Sequence, residues 1–205
     1  MKKMAENPNV RERILFCAEQ LFTEKGYSNT SIRDVCNAAN ANIALVNYYF
    51  KSKEEMYKEL IKTKTEPILR QLRKIIEDKN ITSKEKFSSL FKIYEDFYEV
   101  NRNLPQIIAR EIVTNTDISK WFHKNIIAKE LKMIKRIFED AQRDGVITDR
   151  YDPVTLMNFS MGAIMFILAG SDMVQKVLGS EFTVRGNIKE KIENLRDLLM
   201  NGIKK

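Results

Sequence analysis

The segment Asn40–Glu55, NANIALVNYYFKSKEE, carries no charge before Lys51, holds three asparagines and sets two tyrosines side by side, within a chain of net charge +7. A helix that serves only to cover a core shows an apolar stripe opposite a face of Lys and Glu. Here that charged face is missing. The spacing predicts a short helix from about Ile43 to Phe50, with Asn42 as its cap. Val46 and Phe50, four positions apart, form the stripe that packs inward. The opposite stripe, Ile43, Ala44, Asn47 and Tyr48, offers methyl groups, an amide and a phenol. Those groups suit the floor of a DNA major groove, where amides pair with adenine edges and methyl groups meet thymine methyls. Positive charge belongs at the groove rim, beside the phosphates, and Arg33, Lys51 and Lys53 flank the uncharged stretch.

Upstream, Val10, Ile14, Ala18, Leu21 and Phe22 recur at helical spacing until Gly26 ends that helix. Thr30 or Ser31 caps a second helix, Ser31 with Asp34 fits a capping box, and Ile32, Val35 and Cys36 face inward. Three short helices with a tight turn, ANAN, between the second and third make a helix-turn-helix unit. The helix starts at Thr30/Ser31 and Ser52/Lys53 would present backbone donors to phosphates. Tyr48 and Tyr49 carry hydroxyls suited to the same task, or pack as half-buried aromatics. Ser52 with Glu55 gives another capping box, opening a helix that runs toward Ile76.

Downstream, Thr82 and Glu85 cap a helix bearing Phe87, Leu90, Phe91, Tyr94, Phe97 and Tyr98. Pro105 starts a short one to about Val113. Ile127, Leu131, Ile134, Phe138 and Ala141 mark a long amphipathic helix closed by Gly145, and Ile188, Ile192, Leu195, Leu199 and Ile203 trace the last. With 7 Gly and 4 Pro, the chain has too few turn signals for an all-β fold. The expected architecture is all-α with about nine helices. Residues 1–55 form a three-helix helix-turn-helix DNA-binding domain, and residues 56–205 a larger ligand-binding and dimerisation domain.

Composition narrows the function classes. The excess of 35 basic over 28 acidic residues agrees with a nucleic-acid partner. The first 53 residues hold eight of the bases and five of the acids, so the surplus is only modestly concentrated there. Cys17 and Cys36 lie 19 positions apart without a CxxC, and His123 is the only histidine, so neither a metal site nor a cofactor is expected. No GxSxG, glycine-rich phosphate loop or paired-carboxylate motif supports an enzyme. The run Pro153–Ser171, PVTLMNFSMGAIMFILAGS, is uncharged over 19 residues and approaches the ~20 that span a bilayer. Asn158, Ser160, Thr155 and two glycines dilute it and no aromatic belt frames it, so it reads as a buried helix at a subunit interface. The N-terminus lacks the apolar stretch of a secretory signal, which implies the cytoplasm.

Met133, Met157, Met161, Met165 and Met173, with Phe159 and Phe166, suit core or subunit contacts first at this helical spacing, and an adaptable cavity second. Phe91, Tyr94, Phe97 and Tyr98 share that ambiguity. Arg110 beside Glu111 forms an internal ion pair or meets a polar ligand. The candidate ligand pocket accordingly comprises Phe91, Tyr94, Phe97, Tyr98, Arg110, Met133, Phe159, Met161 and Met165.

Arg13–Tyr57, RILFCAEQLFTEKGYSNTSIRDVCNAANANIALVNYYFKSKEEMY, resembles the DNA-binding domain of TetR-type transcriptional repressors, through "A..LF...GY..TSI.D" followed by "NYYFKSKEE". QRDGVITDRYDP, residues 142–153, loosely resembles the junction before that family's penultimate helix. The resemblance implies a homodimer, joined here through the last two helices, about 153–178 and 187–203. It implies a palindromic DNA operator, and repression relieved by a small-molecule inducer of unknown identity. Carried onto matching positions, Thr30 or Ser31, Tyr48, Tyr49 and Lys53 correspond to phosphate contacts. Arg33, Asn42, Ile43, Ala44 and Asn47 stand where members read bases or flank them. The family usually has Gly in place of Asn40 and Tyr in place of Asn47.

Overall fold

The computed structural model describes residues 10–179 and 188–202, without the side chains of residues 172 and 178. The basic start at residues 1–9, and Asn187 and Ile203 at the ends of the last expected helix, lie outside the described residues. The described residues form eleven α-helices and no strand. The first three are α1 (Val10–Lys25), α2 (Ile32–Ala39) and α3 (Ile43–Phe50). Next come α4 (Lys53–Glu77), α5 (Ser83–Val100) and α6 (Leu104–Val113). The chain continues through α7 (Asp117–Phe122), a π turn (His123–Ile127), α8 (Ala128–Arg143), α9 (Pro153–Ala169), α10 (Ser171–Leu178) and α11 (Ile188–Asn201).

Local chemistry sets the helix ends. Ser31 and Thr82 complete reciprocal capping boxes with Asp34 and Glu85. Ser52 caps only one way, its hydroxyl accepting from the Glu55 N–H at 3.1 Å, so the second box of the sequence is half formed. Gly26 closes α1 at φ +81°, where a Cβ would also press to 3.0 Å from the Arg110 guanidinium.

Two helices escape a reading by periodicity. Thr116 caps the short α7, its hydroxyl accepting from the Ser119 N–H at 3.1 Å. Residues 153–178 form two helices rather than one. α9 ends at Gly170, where a Cβ would sit 2.7 Å from the Phe166 carbonyl oxygen, and α10 restarts at Ser171.

Burial removes apolar surface from water and drives the assembly. One continuous core runs from Ile14 in α1 to Ile192 in α11. The expected domain boundary at residue 55 falls inside α4, which carries buried Met56, Leu60, Ile61, Ile68 and Leu72 along its length. α4, α5 and α8 pack against one another, α9 lies on α6 and α8, and α11 lies across α5 and α9. Among the described residues no helix is long and apolar enough to cross a membrane.

The α5 cap gives a direct test. Hydrogen bonds from the Thr82 backbone and hydroxyl hold the Glu85 carboxyl below its ordinary range. A folded pKa below the unfolded one stabilises above the usual glutamate range, and that share fades as pH falls through the depressed value. Thr82→Ala is expected to cost about 1 kcal/mol in urea melts at pH 7. The gap from wild type should narrow in melts run below the glutamate range.

Candidate functional site

The first candidate surface is built by α2 and α3. α2 ends at Asn40 in the left-handed region, φ 44° and ψ 55°, a geometry Asn tolerates. This short turn swings the chain to Asn42, whose side chain accepts from the Leu45 N–H at 2.7 Å and starts α3. Val46 and Phe50 anchor α3 at 1% and 2% exposure. That leaves Asn42, Ile43, Ala44, Asn47 and Tyr48 outside, with Tyr48 79% exposed. Tyr49 is half-buried and meets the Tyr48 ring edge-on at 5.2 Å. The face is uncharged, bounded by exposed Arg33 on α2 and exposed Lys51 after α3.

Three predicted phosphate contacts sit differently. Thr30 is 1% exposed, and its hydroxyl donates inward to the Gly26 carbonyl at 2.8 Å. The Lys53 ammonium donates to the Tyr27 and Thr30 carbonyls, both at 3.0 Å, and covers the Tyr27 ring at 4.2 Å. It ties the start of α4 to the α1–α2 turn. Ser31 is exposed, but its hydroxyl is engaged by Asp34.

The second candidate is a cavity of about 610 Å³ among α4, α5, α6, α8 and α9, with α7 and the π turn adding Phe122, Ile126 and Ile127. Of the predicted pocket residues, Tyr94, Phe97, Met161 and Met165 stand on its wall. The other five do not. Phe91 and Tyr98 are buried in the core, Met133 packs half-buried against it, and Phe159 points outward at 65% exposure. Arg110 turns away from the cavity and donates to the Phe22 carbonyl at 3.0 Å and the Thr23 carbonyl at 3.4 Å.

Among the described residues, only Thr65, Tyr94 and Glu130 bring a hydroxyl or charged group to this apolar wall. Thr65 donates to its own helix at Ile61, 2.8 Å away. The Tyr94 hydroxyl donates to Glu130 at 2.5 Å. Burial pushes the Glu130 carboxyl up, and the Tyr94 hydrogen bond draws it part of the way back. Burial foremost, with the Glu130 charge, keeps the Tyr94 phenol protonated. Sequence reasoning missed Glu130, although an acid between Ile127 and Ile134 on the apolar stripe was a readable signal.

Between the two sites lies a polar joint. The Tyr57 hydroxyl of α4 donates to Glu111 of α6 at 2.7 Å, while the second Glu111 carboxylate oxygen is buried without a partner. His123 Nε2–H donates to the Glu111 carbonyl at 2.8 Å, a contact that ties the π turn to α6. α6 therefore borders the cavity through Ile108 and Ile112 and grips α1 through Arg110. Beside the joint, Lys58 and Lys62 lie 5.6 and 5.4 Å from the Trp121 ring centroid.

A three-helix unit with an exposed, uncharged third helix, mounted on a helical body with a cavity between its helices, defines a helix-turn-helix architecture of the regulator type. Residues 14–60 match the sequence profile of bacterial regulatory proteins, tetR family. This N-terminal segment is therefore of the TetR type. It is 25% identical over 138 residues to the probable HTH-type transcriptional regulator YttP of Bacillus subtilis, an alignment spanning 66% of each chain. It is 34% identical over 53 residues to IcaR of Staphylococcus aureus, the negative transcriptional regulator of the biofilm operon icaADBC, covering 26% of this chain and 28% of that one. The chain thus spans under two thirds of the length of either relative. In fold it is similar to Bacillus subtilis FadR, solved with stearoyl-CoA, at a TM-score of 0.70 and 19% identity over 94% of this chain and 99% of that one.

Proposed function

We propose that this protein is a ligand-responsive transcriptional repressor of the cytoplasm, which binds a palindromic operator as a homodimer and leaves it when a small molecule enters the cavity. The observation that carries this reading is the coexistence of two surfaces on one core. One is the uncharged α3 face of Asn42, Ile43, Ala44, Asn47 and Tyr48, and the other is an apolar cavity joined to it through α4 and α6. Asn47, with Asn42, Ile43 and Ala44, reads or flanks bases, while Tyr48, Tyr49, Arg33 and the α2 start at Ser31 meet phosphates. Thr30 and Lys53 serve by shaping the turn that presents them.

Homodimerisation is supported by the outward faces of α9, α10 and α11. Phe159 is 65% exposed, Val177 71% and Leu198 43%. Two copies joined there would set their α3 helices into successive major grooves, about 34 Å apart. A ligand releases the DNA only if it binds better to a state with another spacing. α6 supports such coupling, because it touches both the cavity and the end of α1.

Fluorescence anisotropy on duplexes from the gene's own upstream region, over a salt series, tests the reading. Asn47→Ala and Tyr48→Ala are each expected to cost about 1–3 kcal/mol of specific binding with unchanged thermal stability. Equal affinity for every duplex, or a monomer by light scattering, sinks it.

A further inference from the structure

Resting on the reading of the cavity as the inducer site, we propose that its ligand is an organic cation: a largely apolar body carrying one positive charge, which Glu130 receives. The cavity, about 610 Å³, is of the size that encloses small ligands. Its wall sets their chemistry. Among the described residues no Lys, Arg or His borders it, and Glu130 is its one charged side chain. Among the described residues Glu130 takes one hydrogen bond, from Tyr94. A carboxylate has about four acceptor sites, so the rest of its capacity is open to a guest. Glu130 keeps partial exposure and borders the cavity.

An anionic headgroup, such as a free fatty acid or an acyl phosphate ester, would meet a like charge and nothing to neutralise it. In this respect the cavity differs from what stearoyl-CoA, the ligand of the structurally similar FadR, asks of a protein. A neutral hydrocarbon would leave the half-buried Glu130 carboxyl without a partner for its charge. A cation compensates it in a low dielectric, where the attraction is strong. The aromatic rings of Tyr94, Phe97 and Phe122 on the same wall add faces that attract positive charge.

Isothermal titration of the full chain with tetraphenylphosphonium and tetraphenylborate, bodies of one shape and opposite charge, tests this without any variant. The phosphonium is expected to bind at least about tenfold more tightly, the factor of a single modest charge interaction. This is so although the net charge of +7 favours the borate at the surface. Glu130→Gln keeps an acceptor for Tyr94 and removes the charge. It should weaken phosphonium binding about thirtyfold or more and leave the borate unaffected or improved. Ala109→Phe, which fills the cavity, should abolish binding of the phosphonium. The proposal is overturned by equal or tighter borate binding, by an indifferent Glu130→Gln, by phosphonium binding that survives Ala109→Phe, or by binding of neither ion.

The two readings fail separately. Glu130-dependent phosphonium binding that does not displace DNA supports the ligand class and removes the repressor mechanism. Displacement by an anionic or neutral ligand that enters the cavity keeps the repressor and removes the cation.

Discussion

Phe22→Ala is expected to destabilise the protein by about 3–5 kcal/mol, the range for truncating a buried aromatic, and to detach α1–α3 from the rest of the molecule. Phe22 is fully buried at the end of α1. Its ring meets Tyr57 of α4 edge-on at 4.8 Å and lies 6.0 Å from Tyr27. Such pairs add about 0.5–1.5 kcal/mol beyond their area. Because Tyr57 also holds Glu111, the ring wedges together α1, α4 and the α6 joint. The backbone contacts from Arg110 survive the substitution, so the loss isolates the ring. Guanidinium unfolding of the variant should show two transitions by circular dichroism, and early proteolytic cleavage should map to α1–α3. A single transition within about 1 kcal/mol of wild type would contradict this account of the junction.

A second large effect comes from Tyr57→Phe, which strips Glu111 of its one side-chain hydrogen bond and leaves both carboxylate oxygens buried and unsatisfied. Its expected cost is about 1.5–3 kcal/mol, that of a hydrogen bond to a charged group. Combining it with Glu111→Leu removes the stranded carboxylate as well, and replacing both members of a buried polar pair by apolar groups can be nearly neutral. The double variant should therefore be more stable than Tyr57→Phe alone in urea melts. A double variant as unstable as the sum of the single ones would show that the pair is not coupled.

Local signals make the helix-turn-helix end of the chain readable. Caps at Ser31 and Asn42, Gly26 after α1, and the Val46–Phe50 pair act within a few residues, so their outcome does not await the rest of the fold. The contacts of Lys53 and Thr30 are hidden from the sequence for the opposite reason. The Tyr27 carbonyl that binds Lys53 lies 26 positions away, and a surface lysine carries no mark of such a partner. The cavity was half legible on the same grounds. Periodicity shows that Phe91, Tyr94, Phe97 and Tyr98 face inward, but a cavity is defined by where packing stops. Tyr94 and Phe97 border it, while Phe91 and Tyr98 fill core. For Arg110 the sequence offers only its neighbour Glu111 or a ligand as partner. Arg110 instead reaches the carbonyls of Phe22 and Thr23, 88 and 87 positions earlier.

Trp121 is the chain's sole tryptophan, and it stands where α7 meets the two lysines of α4. An indole's emission depends on the charges beside it, so sliding α4 along α7 alters its colour and brightness. The protein thus carries an unlabelled optical gauge of its own joint. With it, a rearrangement where α7 meets α4 is readable in solution in real time.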